Sequence, residues 1–126
     1  MTARTVGRIT NRTAFTELQR SRSRGSSGPV RALFAPADES TPGLFPQVGY
    51  AIGRPCGSAV IRNRLRRRAR EVVRVEAPTL PKGSFLVRLE QGAADLSPAE
   101  FRADVATALR RAGRTPRARR APEGGG

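Results

Sequence analysis

The chain has 126 residues, and 24 lysines and arginines against 10 acidic residues give it a formal net charge of +14. This length fits one domain with a modest core, and this charge predicts a polyanionic partner. Histidine is absent, which excludes histidine-activated nucleophiles, histidine general bases and histidine metal ligands. Cys56 is the single cysteine, so no internal disulfide can form, and no apolar run is long enough to cross a membrane. We therefore expect a cytoplasmic protein.

Arginine supplies every basic residue except Lys82. The flat guanidinium group matches phosphate with two parallel hydrogen bonds and stacks on bases, so this bias favours a nucleic-acid partner. A GC-rich genome would produce the same bias, and composition does not separate the two explanations.

The first third of the chain predicts a helix between two irregular segments. Residues 1–7 read as a disordered basic arm, and apolar residues spaced for one helical face predict a short helix over 12–20. The serine-, arginine- and glycine-rich stretch 21–28 reads as a flexible connector.

Two strands follow. Residues 29–35 alternate, with Val30, Ala32 and Phe34 on one face, and residues 48–52 alternate in the same way. Because only a loop over 36–47 joins them, we expect the two strands to be antiparallel neighbours.

The most informative stretch runs from the second strand into an arginine-rich helix. Gly53, Pro55 and Gly57 mark a turn, and Ser58 is a suitable N-cap. Ile61, Leu65, Ala69 and Val72 share one face of the helix that follows, which predicts an apolar stripe docked on a sheet. The opposite side carries arginines with almost no acids at helical spacing, so it favours a polyanion-binding surface over an ordinary solvated one. Eight arginines fall in this region: Arg54, Arg62, Arg64, Arg66, Arg67, Arg68, Arg70 and Arg74.

The last third predicts a buried strand over 84–89 and a second amphipathic helix. Ser97 and Glu100 form a capping box around a proline at the first helical position, and Gly113 is expected to end the helix. Residues 114–126 read as a disordered basic tail. The fold class is therefore α+β: a two-layer sandwich with helices on a small mixed sheet.

The Val-Gly-Tyr-Ala-Ile strand, the Gly-Ser-Ala turn and the Arg62-Asn63-Arg64 start of a basic helix together resemble the protein component of bacterial ribonuclease P. The resemblance covers a single domain over residues 8–113. It implies a fold similar to the second domain of ribosomal protein S5, with a left-handed strand–helix–strand crossover and four strands. The residues themselves place three strands, and the fourth is not evident.

The resemblance also implies the function. In this family the RNA subunit and its Mg²⁺ ions cleave precursor tRNA and release the 5′ leader, while the protein supplies no catalytic residue and binds no cofactor alone. The protein binds the catalytic RNA and the leader, as a ribonucleoprotein endonuclease for tRNA processing. The positions that match RNA-contacting residues of the family are Arg62, Asn63, Arg64, Arg66, Arg67, Arg70 and Arg54.

The resemblance places the leader in a cleft between the sheet and the first helix. Phe15 matches an aromatic residue that stacks on a leader base there, although a core position beneath the first helix explains it equally well. The second aromatic position of the cleft is Gln19 here, so stacking would be weaker or would use Phe34 or Tyr50.

Three alternatives remain. A structural, ribosomal-type RNA-binding protein explains the charge and fold class but not the strand–turn–Arg-Asn-Arg arrangement. A DNA-binding module is disfavoured because no turn-linked helix pair is visible and base-reading side chains are scarce. A stand-alone nuclease would need a metal on Asp38, Glu39 or Glu71, which do not form a clustered ligand set.

Overall fold

The structure is a computed structural model of the chain. It describes residues 7–8, 23–36 and 46–125, and it describes the side chains of residues 23–36 and 46–114. The predicted helix over 12–20, with Phe15 and Gln19, lies outside the described residues, as do Asp38 and Glu39. None of the described helices is long and apolar enough to span a membrane.

The described elements are five strands and two α-helices. The strands are β1 (Gly7–Arg8), β2 (Ser23–Ser27), β3 (Val30–Pro36), β4 (Gln47–Ile52) and β5 (Gly83–Leu89), and the helices are α1 (Ala59–Glu76) and α2 (Pro98–Gly125). They form one mixed sheet in the order β1-β4-β5-β3-β2. β3 is antiparallel to β2 and β5, whereas β4 is parallel to β1 and β5.

The strand that the sequence did not reveal is β2. The stretch 21–28 was predicted to be a flexible connector, and this prediction is wrong because Ser23–Ser27 pairs with β3 through the two-residue turn Gly28-Pro29. Its composition has little β-propensity, and packing against α2 stabilises the strand instead. A Cβ at Gly25 would lie 2.4 Å from the carbonyl oxygen of Ala108, so only glycine allows this close approach.

The predicted antiparallel pairing of the strands over 29–35 and 48–52 is also wrong. β3 and β4 are not neighbours, because β5 lies between them and pairs with both. β4, α1 and β5 form a parallel strand–helix–strand unit, which places the arginine-rich helix between two adjacent strands of the sheet. The handedness of this crossover stays a prediction.

Both helices pack on the same face of the sheet and enclose the core. The predicted stripe of α1 is confirmed, since Leu65, Ala69 and Val72 are buried and Ile61 packs at the margin. The core of the sheet is centred on Phe34 and Phe85, whose ring centroids are 4.5 Å apart. Helices on one side of a sheet give the two-layer α+β sandwich that the sequence predicts.

The start of α2 was predicted correctly, and its end was not. The backbone N–H of Glu100 donates to Ser97 Oγ and Glu100 Oε1 accepts from the Ser97 N–H, which is the expected capping box. The helix passes Gly113 and continues to Gly125. A Cβ at Gly113 would lie 3.0 Å from Pro81 Cδ, so this glycine serves close packing rather than helix termination.

Candidate nucleic-acid interface

The turn before α1 is held by a network of hydrogen bonds. The N–H of Cys56 donates to the Gly53 carbonyl over 3.0 Å, and the N–H of Gly57 donates to the Arg54 carbonyl over 3.0 Å. Ser58 caps the helix, its Oγ accepting from the Ile61 N–H over 3.3 Å. The strand therefore passes into the helix through a turn of fixed shape, and the first arginines of α1 begin from a defined point.

Cys56 anchors this turn to the sheet. Its thiol donates to the carbonyl of Leu89 over 3.2 Å, at the end of β5. Burial, with a smaller contribution from the Glu90 carboxylate, raises the pKa of the Cys56 thiol. A buried, protonated thiol is a poor nucleophile, so the role of Cys56 in this turn is structural.

The outward side of α1 is a mostly basic surface. We call it the α1 surface and define it by the residues Asn63, Arg64, Arg66, Arg67, Arg68 and Arg70. The guanidinium of Arg66 donates to Asn63 Oδ1 over 3.1 Å. Arg64, Arg67 and Arg68 are exposed and make no hydrogen bond or ion pair with any residue that the structure describes. Arg68 was not among the predicted contacts, and its exposure adds it to this surface.

Tyr50 lies beside the α1 surface. The Arg70 guanidinium carbon is 6.0 Å from the centroid of the Tyr50 ring, within the range of a cation–π contact. Burial raises the pKa of Tyr50 to about 12, and the positive charge of Arg70 opposes part of that rise. The structure therefore groups Tyr50 with the arginine helix, on the same sheet face as the core.

The two acidic residues of α1, Glu71 and Glu76, are neutralised within the protein. Glu71 pairs with Arg74, and both side chains are exposed. Glu76 accepts two hydrogen bonds from Arg110 of α2, at 3.0 and 3.2 Å, and is mostly buried. This bidentate pair fixes the C-terminal end of α1 against α2. Among the described residues, Glu71 belongs to no group of three side chains that could hold a metal ion.

Phe34 does not belong to any candidate binding surface. Its side chain is 2% exposed and packs on Phe85 in the core beneath the helices. A ring enclosed in this way cannot stack on a base, so the prediction that Phe34 could contact the leader is wrong. The strand alternation that places Val30 in the core places Phe34 there too.

The opposite face of the sheet carries a second set of arginines that the sequence analysis missed. Arg31 of β3 lies directly across from Arg88 of β5, and Arg24 of β2 lies across from Leu33. Arg31 is 3.8 Å from Glu90, whereas Arg88 is exposed and makes no ion pair among the described residues. We define the sheet groove by its lining residues Arg24, Ser26, Arg31, Leu33, Arg88 and Arg111.

Like charges directly opposite each other on neighbouring strands are unfavourable unless something anionic lies between them. Strand alternation places Arg31 and Leu33 on one face, but only the register shows that Arg31 and Arg88 meet. The pairing of β3 with β5 was not evident from the sequence, and the sheet groove could not be found without it.

Comparison with known proteins identifies the family. The Ribonuclease P family model matches residues 4–113. The chain belongs to the ribonuclease P protein family. Among curated relatives, the ribonuclease P protein component of Symbiobacterium thermophilum is 36% identical over 84% of this chain and 90% of its own length. That of Thermobifida fusca is 38% identical over 75% of this chain and 67% of its own length.

Solved structures of ribonuclease P proteins share the fold. The protein from Thermotoga maritima, solved with 1-(4-fluorophenyl)-2-thiourea, superposes with a TM-score of 0.70 at 23% identity, over 82% of this chain and 98% of its own. A Staphylococcus aureus ribonuclease P protein mutant with defective mRNA degradation activity gives 0.71 at 18% identity, over 82% of this chain and 85% of its own. The family assignment also selects the ribonuclease P interpretation over the ribosomal-type alternative.

Proposed function

We propose that this chain is the protein subunit of ribonuclease P, which binds the catalytic RNA and assists RNA-catalysed removal of the 5′ leader from precursor tRNA. The observation that carries the proposal is the α1 surface. It presents Arg64, Arg67 and Arg68 without a protein partner among the described residues, on a helix fixed at both ends. Unneutralised guanidiniums on a rigid element suit a fixed array of RNA phosphates.

The catalytic RNA is the proposed partner of the α1 surface. Structured RNA is recognised largely by shape and by its phosphates and 2′-hydroxyls. A helix with arginines three and four residues apart can contact successive phosphates along one strand, while Tyr50 offers a partly exposed ring beside Arg70. These contacts need no base reading, which agrees with the scarcity of amide side chains on this surface.

The 5′ leader of precursor tRNA is the proposed partner of the sheet groove. This groove lies on the sheet face opposite α1, and Arg111 of α2 reaches its border at the edge strand β2, so the groove is separate from the α1 surface. Its arginines Arg24, Arg31 and Arg88 come from three neighbouring strands, an arrangement suited to the phosphates of a single strand. This assignment replaces Phe34 with Arg31 as the leader-contacting residue of β3.

The chemistry is assigned to RNA-bound Mg²⁺. Among the described residues there is no group of three histidine, cysteine or acidic side chains that could hold a metal ion. The chain's own role is to neutralise phosphates, which lowers the repulsion between the catalytic RNA and its substrate and so reduces the Mg²⁺ concentration needed for assembly.

The leader assignment is tested with the holoenzyme reconstituted on a bacterial ribonuclease P RNA. The double variant Arg31→Gln/Arg88→Gln should weaken binding of precursor tRNA about tenfold and leave binding of leaderless tRNA unchanged. Arg102→Gln is the matched control, because Arg102 is exposed on α2 and does not line the groove. Equal losses of affinity for both substrates, or no loss with the double variant, would show that the leader does not bind in the groove.

A further inference from the structure

The two arginines of the Arg62-Asn63-Arg64 triplet have different surroundings. Arg64 is exposed and makes no hydrogen bond or ion pair within the described part of the chain. Arg62 is half-buried, and its Nε–H donates to the carbonyl oxygen of Gly57 over 3.2 Å. Both match RNA-contacting positions of the family, yet only one is free to move toward a phosphate.

The carbonyl that Arg62 contacts belongs to the most constrained residue of the turn. Gly57 has φ +135°, a conformation that L side chains rarely adopt, and a Cβ there would lie 3.0 Å from Ile61 Cγ2. Its N–H already donates to the Arg54 carbonyl, and the backbone N–H of Arg62 donates to the Ser58 carbonyl over 2.8 Å. The backbone N–H of Arg62 thus makes the first hydrogen bond of α1 to its N-cap, and the side chain of Arg62 makes a separate contact with the turn.

The side-chain contact of Arg62 closes the turn onto the helix. Cys56 attaches one side of the turn to β5, and Arg62 attaches the other side to the first turn of α1. Arg54 lies within this turn, and Arg64 lies near the start of α1. The position of both basic groups relative to the sheet depends on the turn keeping its shape.

We propose that Arg62 is a positioning residue, which acts on RNA binding by holding the turn that presents Arg54 and the start of α1, whereas Arg64 acts by direct phosphate contact. The proposal rests on the proposed function for its RNA readout. It requires a donor at the position of Nε in residue 62 and a positive charge in residue 64. The two requirements are separable, because different substitutions preserve each of them.

Glutamine and lysine substitutions distinguish a donor from a charge. The amide nitrogen of glutamine is separated from Cα by the same number of bonds as Nε of arginine, so Arg62→Gln keeps a donor for the Gly57 carbonyl and loses the charge. Arg62→Lys keeps the charge and moves the donor one bond outward. The same pair at Arg64 is the matched control, and the probe is a bacterial ribonuclease P RNA at fixed salt.

The rank order of the two variants should invert between the two positions. At residue 62 the glutamine variant should bind within about threefold of wild type, and the lysine variant about tenfold more weakly. At residue 64 the lysine variant should bind within about threefold of wild type, and the glutamine variant about tenfold more weakly. A lysine variant that binds better than the glutamine variant at both positions would overturn the proposal, because charge alone would then explain Arg62.

Hydrogen exchange of the free protein provides a second readout that needs no RNA. The amides of Cys56, Gly57 and Ile61 should lose protection in Arg62→Lys and keep it in Arg62→Gln and both Arg64 variants. Loss of protection without loss of affinity would make Arg62 merely structural and would also overturn the proposal. A wild-type protein that does not bind the RNA would instead defeat the proposed function, and the exchange pattern would still decide whether Arg62 closes the turn.

Discussion

At the scale of single residues, side-chain environment separates roles that the sequence presents as equal. Phe34 and Tyr50 were both candidate stacking residues, but Phe34 is enclosed in the core and Tyr50 lies half-buried beside Arg70. Alternation along a strand predicts which residues share a face, and it does not say which face a helix will cover. The sequence therefore predicted the alternation of β3 correctly and assigned Phe34 to the wrong environment.

Tyr50 gives a residue-scale prediction that needs no substitution. It is the only tyrosine and there is no tryptophan, so absorbance near 295 nm reports its ionisation alone. Burial should place the titration midpoint at about 12 in the folded protein, against about 10 in strong denaturant. Because the folded-state pKa is the higher one, stability should decrease as the pH rises above 10. Coincident midpoints in both conditions would show that the ring is not buried beside α1.

Gly25 gives a second residue-scale prediction. In Gly25→Ala the new methyl group would meet the backbone of α2 at Ala108 and Ala112, so the helix must shift. We expect a loss of about 2 kcal/mol in the free energy of unfolding, measured by urea denaturation. Gly53→Ala is the control and should change stability by less than about 0.5 kcal/mol, since its Cβ would contact only Pro55 at 3.4 Å. Equal effects would contradict the close contact of β2 with α2.

At the scale of elements, the helices were more predictable than the sheet. Ser58 and Ser97 begin α1 and α2 as expected, because capping depends on residues within one turn of each other. Strand β2 was missed because its stability comes from α2 and β3 rather than from its own side chains. Strand order was missed for the same reason, since it depends on contacts between residues far apart in the chain.

Leu65 tests the orientation of α1. It is 2% exposed at the contact between the helix and the sheet, so Leu65→Asp would bury a carboxylate without a partner. The cost should approach the whole stability of the domain, about 5–15 kcal/mol, and circular dichroism should show an unfolded or aggregated chain. Val75→Asp on the same helix should remain folded, because Val75 is 69% exposed. A folded Leu65→Asp protein would mean that the buried face of α1 is assigned wrongly.

At the scale of the whole molecule, the charge is distributed over two surfaces that face away from each other. The α1 surface was predicted from the sequence, because its residues are close together in the chain. The sheet groove was not, because Arg24, Arg31 and Arg88 come from three different strands. Net charge predicted a polyanionic partner, and the fold divides that charge into two candidate contacts.

Salt dependence measures how many phosphates the α1 surface neutralises. Each lost phosphate contact should reduce the magnitude of the log–log slope of affinity against salt by about 0.7–0.9. The triple variant Arg64→Gln/Arg67→Gln/Arg68→Gln should therefore show a slope smaller by about 2 to 3 with ribonuclease P RNA. Its thermal stability should not fall, since these side chains have no partner within the described residues. An unchanged slope would show that the RNA binds elsewhere.

The most direct test of the proposed function is a reconstitution at low Mg²⁺. Purified protein, a bacterial ribonuclease P RNA and a precursor tRNA are combined, with protein-only and RNA-only controls, and release of the 5′ leader is measured. We expect cleavage with both components together and little or none with either alone. Cleavage by the protein alone, or no stimulation of the RNA by the protein, would contradict it.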